Sequence, residues 1–80
     1  MTETVSLNDI NPGEKATVLS VNLKGNIRKR LMDLGLIENT QVECVGKSPA
    51  GDPKAYLIRG AVIAIRSEDS KNICVEISGR

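Results

Sequence analysis

The chain has 80 residues, a mass of 8.6 kDa and a formal charge of +1, which together indicate one small domain over residues 1–80. It contains no histidine, phenylalanine or tryptophan, and Tyr56 is its only aromatic residue. A catalytic triad, a general base or a zinc site built on histidine is therefore excluded. One tyrosine cannot build a base-stacking platform, and a net charge near zero argues against a dedicated nucleic-acid binder.

The first residues are polar and acidic, unlike the basic and apolar start of a signal peptide. The longest apolar run, residues 61–65, is far shorter than the ~20 residues of a membrane span. Cys44 and Cys74 are far apart in the sequence and form no C-x-x-C pair, which predicts free thiols in a reducing compartment. We therefore expect a cytoplasmic protein with no membrane span of its own.

Short runs of β-branched and alternating residues predict five strands. They cover residues 15–21, 40–47, 54–59, 61–66 and 72–77. Ser6 and Asp9 fit a capping box on a single turn, and residues 67–70 are expected to form a polar turn. Five short strands in so small a chain indicate a closed or nearly closed barrel.

One helix is predicted over residues 26–34, because Ile27, Leu31 and Leu34 recur at the spacing of one buried face. Gly35 follows as a left-handed residue that ends the helix, and Leu36 would then contact Leu31 in a Schellman motif. These contacts make Leu31, Leu34, Gly35 and Leu36 the structural residues of this segment.

Several spaced motifs carry a resemblance to a known family. They are residues 7–13 (LNDINPG), 30–36 (RLMDLGL) and 48–53 (SPAGDP), followed by Gly60 and residues 64–66 (AIR). In this order the chain resembles the FeoA family, small cytosolic proteins of bacterial ferrous iron uptake. The resemblance implies a mainly β fold: a small five-stranded SH3-like barrel with one inserted helix at about residues 26–34. One departure is Glu38-Asn39, where glycine is common in the family, but asparagine tolerates the left-handed conformation.

The resemblance also implies a partner, the cytosolic G-protein domain of the FeoB-type membrane permease. The same domain type occurs at the C-terminus of iron-dependent repressors, so a metal-responsive accessory domain is the alternative. A small-barrel module that binds RNA or the ribosome is the second alternative. A transition metal such as ferrous ion is implied by the resemblance only. Nothing in the spacing of the cysteines or of Glu38, Glu43 and Asp52 selects metal ligands, so none is assigned.

Four basic residues lie within residues 24–30 and include Arg28 and Lys29. They are a solvated helix face, a surface for an acidic partner or for lipid headgroups, or a contact for nucleic-acid phosphate. Met32 would add one apolar contact to a partner surface. Residues 49–53 are either a stiff hairpin connection or an ordered recognition loop. The candidates for partner binding are therefore Arg28, Lys29, Met32, Pro49, Gly51, Asp52 and Pro53. No nucleophile, general base or phosphate-binding glycine loop occurs, so we expect no enzyme, catalytic residue or cofactor.

Overall fold

The computed structural model describes residues 2–78, which form one six-stranded antiparallel sheet with two helices. The strands are β1 (Thr2–Ser6), β2 (Lys15–Val21), β3 (Gln41–Lys47), β4 (Lys54–Ile58), β5 (Ala61–Ile65) and β6 (Ile73–Ser78). A 3₁₀ turn (Leu7–Asp9) follows β1, helix α1 (Gly25–Asp33) joins β2 to β3, and helix α2 (Ser67–Ser70) joins β5 to β6. The strand order is β1-β6-β2-β3-β4-β5. The five strands expected from the sequence are confirmed to within about a residue at each end.

The core is aliphatic apart from Tyr56 and Cys44. Its strand residues alternate along the sequence, because alternate residues of each strand point to the same side of the sheet. On β3 the buried residues are Val42 and Cys44, and on β6 they are Ile73, Val75 and Ile77, as the alternation predicts. Leu7 and Ile10, from the 3₁₀ turn and the residue that follows it, close one side of this core.

Strand β1 was not expected, and the barrel is not closed. Residues 2–6 pair with β6 at five positions, but Thr2, Glu3 and Thr4 are exposed and give no apolar alternation. Backbone hydrogen bonds hold this strand, so its side chains carry little signal of its existence. With β1 and β5 at opposite ends of the order, the sheet remains open between them.

Residues 67–70 form helix α2 rather than a polar turn. The backbone N–H of Ser70 donates to the carbonyl of Arg66 at 2.9 Å, and that of Lys71 donates to the carbonyl of Ser67 at 3.0 Å. Glu68 and Asp69 in the first turn favour the helix N-terminus. One turn is too short to show helical periodicity in the sequence.

The carboxyl end of α1 is a Schellman motif. The N–H of Leu36 donates to the carbonyl of Leu31 at 2.9 Å, and the N–H of Gly35 donates to that of Met32 at 3.0 Å. Gly35 is left-handed, with φ 107°, and both Leu31 and Leu36 are buried. The helix is thereby fixed to the sheet at the residue where the sequence predicts its end.

The expected burial of Leu34 is wrong. Its side chain is 39% exposed, whereas Leu31 is 2% and Leu36 0% exposed. Leu34 is the C-cap, and the reversal of the chain at Gly35 brings Leu36 into the core in its place. Of the three residues expected to form the buried face of α1, Ile27 and Leu31 pack against the core.

Two tight turns use left-handed residues other than glycine. Asn39 has φ 70°, as expected where asparagine replaces the glycine of the family, and leads into β3. Arg59 and Gly60, with φ 48° and 84°, form the whole connection between β4 and β5. Two central residues with positive φ define a type I′ turn, the geometry that matches the twist of a hairpin.

Candidate functional site

One candidate surface is the basic face of α1, an exposed surface that extends around the first turns of the helix and consists of Arg28, Lys29 and Arg30 together with the N-cap residue Lys24. All four side chains are exposed, and none of them forms an ion pair within residues 2–78. Their positive charges are therefore available to an acidic surface. Met32, expected on the free side of the helix, is half-buried and can offer only part of its side chain.

The second candidate surface is the 49–53 loop, which is held by its own backbone. The N–H of Ser48 donates to the carbonyl of Pro53 at 3.1 Å, and the N–H of Gly51 donates to that of Ser48 at 2.8 Å. The hydroxyl of Ser48 donates to the carbonyl of Asp52 at 2.7 Å. The loop is thus ordered, with Pro49 exposed at its outer side.

Asp52 connects this loop to α2. Its carboxylate accepts the backbone N–H of Ser67 at 2.8 Å and the hydroxyl of Ser67 at 3.3 Å. This is the role of an N-cap residue, supplied here from another part of the chain. Asp52 therefore has a structural function, which the sequence did not reveal because Ser67 lies fifteen residues further on.

Helix α2 lies next to both candidate surfaces. A cleft of about 270 Å³ lies between α1 and β5. Ile27, Leu31, Ile63 and Ile65 contribute its apolar lining, and Arg30 and Arg66 stand at its rim with Glu68 and Asp69 of α2. The loop adjoins α2 through Asp52, and α1 shares the lining of this cleft with α2.

A partly buried polar cluster holds the 3₁₀ turn against β4. The ammonium of Lys54 donates to the carbonyls of Asn8 and Ile10 at 2.6 and 3.2 Å, and the hydroxyl of Tyr56 donates to the carbonyl of Leu7 at 3.3 Å. Burial raises the pKa of Tyr56 to about 12, partly offset by a hydrogen bond with Ser70. These contacts anchor the 3₁₀ turn and suggest a structural rather than a catalytic tyrosine.

Metal-binding side chains are not brought together within residues 2–78, where no three Cys, Asp or Glu residues form a group. Cys44 is buried and Cys74 is half-buried, and both are free thiols. The thiol of Cys44 faces the carbonyl of Gly46 at 3.7 Å. Glu38 and Asp52 are exposed, and Asp52 is already engaged with Ser67.

No helix of the described residues has the length and apolarity needed to cross a membrane.

The sequence does not predict the contact that Arg59 makes with the end of α1. Its side chain lies over Gly35, so that a Cβ added at Gly35 would be 2.5 Å from Cδ of Arg59. In the sequence, Gly60 indicates a turn at this position. No local pattern predicts that the turn contacts the end of α1.

This architecture, an antiparallel sheet with a docked helix and an ordered loop at one end, defines a small SH3-like domain. The FeoA domain family matches residues 5–77, and the chain belongs to that family. The structure of the FeoA protein from Chlorobium tepidum is similar, with a TM-score of 0.88 and 31% identity over 94% of this chain and 71% of that one. The zinc complex of FeoA from Stenotrophomonas maltophilia, described as a prokaryotic SH3 domain protein, has a TM-score of 0.76 and 29% identity over 89% of this chain and 88% of that one.

A curated relative joins the family to a transporter. It is the Fe(2+) transport protein A/Fe(2+) transporter FeoB fusion protein of Porphyromonas gingivalis, 30% identical over 71 residues. The match covers 89% of this chain and only 8% of the fusion protein. A manganese-dependent transcriptional repressor shares the fold at 13% identity, with a TM-score of 0.81 over 96% of this chain and 43% of that one. The FeoA family is thus a family of ferrous iron transport whose fold also occurs in repressors.

Proposed function

We propose that this protein is a non-enzymatic accessory protein of ferrous iron uptake. It binds the cytosolic G-protein domain of a FeoB-type membrane permease and modulates transport by that permease. The observation that carries this proposal is the Porphyromonas gingivalis fusion, in which a domain of this family and the transporter share one chain. Covalent linkage keeps two domains at a high effective concentration, which is useful when they act on one another.

The basic face of α1 and the 49–53 loop are the proposed contact surface. The four cations of the basic face have no ion-pair partner within the described residues, and the loop is ordered by Ser48 and Asp52 before any partner arrives. A pre-ordered, charged surface favours fast association and a salt-sensitive interface. Pro49 and Gly51 are better candidates for direct contact than Asp52, whose carboxylate is occupied by Ser67.

The test is a titration of the isotopically labelled protein with the purified G-protein domain of the permease, followed by amide chemical shifts. The proposal predicts saturable shifts on the basic face and in the 49–53 loop. An unrelated G-protein domain of similar net charge is the control and should leave these signals unchanged. The absence of any shift with a folded permease domain, or equal shifts with both domains, would contradict the proposal.

A further inference from the structure

Strand β5 has a free edge. It stands last in the strand order and pairs only with β4. Because the two-residue turn closes on the Ile58–Ala61 pair, alternate residues of β5 from Ala61 onward direct their backbone groups to β4. The N–H and carbonyl groups of Val62 and Ala64 then point away from the sheet. Within residues 2–78, no other element forms a backbone hydrogen bond with either residue.

The cleft beside this edge could receive side chains. Its lining includes Ile27 and Leu31 of α1 on one side and Ile63 and Ile65 of β5 on the other. An unpaired strand next to a helix, with a cleft of mixed apolar and charged lining between them, is the arrangement in which extended peptides add a strand to a sheet. Side chains at alternate positions of such a peptide would enter the cleft.

The outer face of the same edge is apolar as well. Val62 is 65% exposed, the most exposed of the large apolar side chains in the described residues. It lies opposite half-buried Leu57 of β4 and two residues from exposed Ala64. A strand added to β5 would cover Val62 with the side chains that do not enter the cleft. An exposed apolar edge strand without protection would otherwise be a site of aggregation.

The charges beside the groove indicate which kind of segment would bind there. Arg30 stands at the cleft rim without an ion-pair partner in residues 2–78, and the rest of the basic face continues along α1. On the α2 side, Arg66 is 3.7 Å from Glu68 and Asp69 also lines the cleft, so the excess of positive charge lies on the α1 side. A second copy paired through β5 would bring two basic helices together, which like-charge repulsion opposes. An extended segment with an acidic end meets no such repulsion.

We propose that β5 and α1 form a docking groove for an extended segment of a partner protein, which adds to the sheet beside β5. The segment has apolar side chains at alternate positions and an acidic residue at the end that lies against Arg30. The inference rests on the proposed function in one respect only, namely that the segment comes from the cytosolic part of the permease. The groove itself is tested without that partner.

The probe is a blocked synthetic peptide, Glu-Asp-Val-Thr-Val-Thr-Leu, added to the labelled protein. We expect amide shifts at Val62, Ala64 and the residues of α1 that line the cleft, together with slower amide exchange at Val62 and Ala64. A copy N-methylated on its central residues cannot donate to the strand edge and should bind at least about tenfold more weakly. A copy with lysines in place of its acidic residues should also bind more weakly, by several-fold.

Two pairs of variants test the groove from the protein side. Val62→Pro removes an N–H that β4 does not use and should weaken binding at least about tenfold, whereas Val62→Thr keeps that donor and should bind normally. Arg30→Glu should weaken binding of the acidic peptide, and Lys15→Glu, the same charge reversal at an exposed residue of β2, should not. If Val62→Pro fails to fold, the groove is tested on the unaltered protein by comparing its affinity for the N-methylated peptide with its affinity for the unmodified peptide.

The groove is refuted if no shifts occur at millimolar peptide, if the shifts lie elsewhere, or if the N-methylated peptide binds equally well. The permease domain separates the two proposals. Binding of that domain without protection of Val62 and Ala64 would overturn the groove and leave the proposed function. Binding of the acidic peptide at β5 with no binding of the permease domain would overturn the proposed function and leave the groove.

Discussion

The backbone of Gly35 lies directly beneath the side chain of Arg59, which joins the end of α1 to the β4–β5 turn. A Cβ at Gly35 would be 2.5 Å from Cδ and 3.1 Å from Cγ of Arg59. Gly35 also has φ 107°, a conformation that side chains disfavour. The backbone conformation therefore requires glycine here, whereas the exposed and flexible side chain of Arg59 can move away from an added Cβ at little cost.

Gly35→Ala should lower the free energy of unfolding by about 1–2 kcal/mol, because φ 107° is unfavourable for any residue with a Cβ. Chemical denaturation measures the change. The double variant Gly35→Ala with Arg59→Ala should recover only a small part of this loss, because the exposed Arg59 side chain can move away from the new methyl group. Gly25→Ala is the control for a milder positive φ of 71° with nothing within 4 Å of an added Cβ, and it should cost less. Full recovery of stability in the double variant would show that the contact with Arg59, rather than the backbone of Gly35, requires glycine.

Two leucines of α1 that look equivalent in the sequence should behave differently. Leu31→Ala should cost about 2–5 kcal/mol, because Leu31 is buried between the helix and the sheet. Leu34→Ala should cost less, about 1–2 kcal/mol, because 39% of its side chain is already exposed to solvent. Denaturant midpoints of the two variants are compared directly, and equal losses would mean that Leu34 packs against the core.

Asp52→Ala should destabilise the domain by about 0.5–2 kcal/mol, the usual range for loss of an N-cap. It should also speed amide exchange at Ser67, whose N–H donates to the Asp52 carboxylate. Asp33→Ala serves as the control, since a carboxylate in the last turn of α1 is opposed by the helix dipole and its loss should be neutral or slightly stabilising. Unchanged exchange at Ser67 in Asp52→Ala would show that the loop and α2 are not coupled.

Stability should fall at high pH because of Tyr56. Burial raises its pKa from 10.0 to about 12, so between these values the unfolded chain has lost the phenolic proton that the folded chain keeps. The folded state then binds more protons than the unfolded state, and the free energy of unfolding decreases as pH rises through this window. Below pH 10 the contribution of Tyr56 does not vary with pH.

Tyr56 is the only tyrosine, so its ionisation can be followed alone by ultraviolet absorbance. The titration midpoint in the folded protein should lie near 12, or ionisation should coincide with unfolding. Tyr56→Phe should remove this part of the pH dependence, although it also loses the hydrogen bond to Leu7. A tyrosine midpoint near 10 in a protein that is still folded would contradict the buried environment.

The sequence predicts those parts of the fold whose side chains carry the pattern. β3 and β6 alternate because one face is buried, and Gly35 ends α1 because only glycine readily adopts its φ. β1 gives no such signal, since backbone pairing with β6 holds a strand of mostly exposed side chains. Closure of the barrel was inferred from strand number alone, and strand number does not determine whether the two edges meet.

The candidate site was predictable only in part, for a similar reason. Residues 24–30 and 49–53 stand out through charge and through proline and glycine content. The bond between Asp52 and Ser67, the position of Arg59 over Gly35 and the cleft beside β5 all join segments distant in the sequence. Such contacts depend on the tertiary arrangement, which no local pattern encodes.

The central claim, that the basic face of α1 contacts the permease, is tested most directly with one charge-reversed protein. The variant carries Arg28→Glu and Lys29→Glu, and its affinity for the permease G-protein domain is measured by calorimetry at low and at high salt. Lys15→Glu with Lys71→Glu is the control with the same change in net charge at exposed residues outside α1.

We expect the α1 variant to fold normally and to bind at least about tenfold more weakly than the parent at low salt. The difference should shrink at high salt, because screening already removes part of the attraction in the parent, and the control variant should bind almost as well as the parent. Unchanged binding of a folded α1 variant at low salt would contradict the account and place the interface elsewhere.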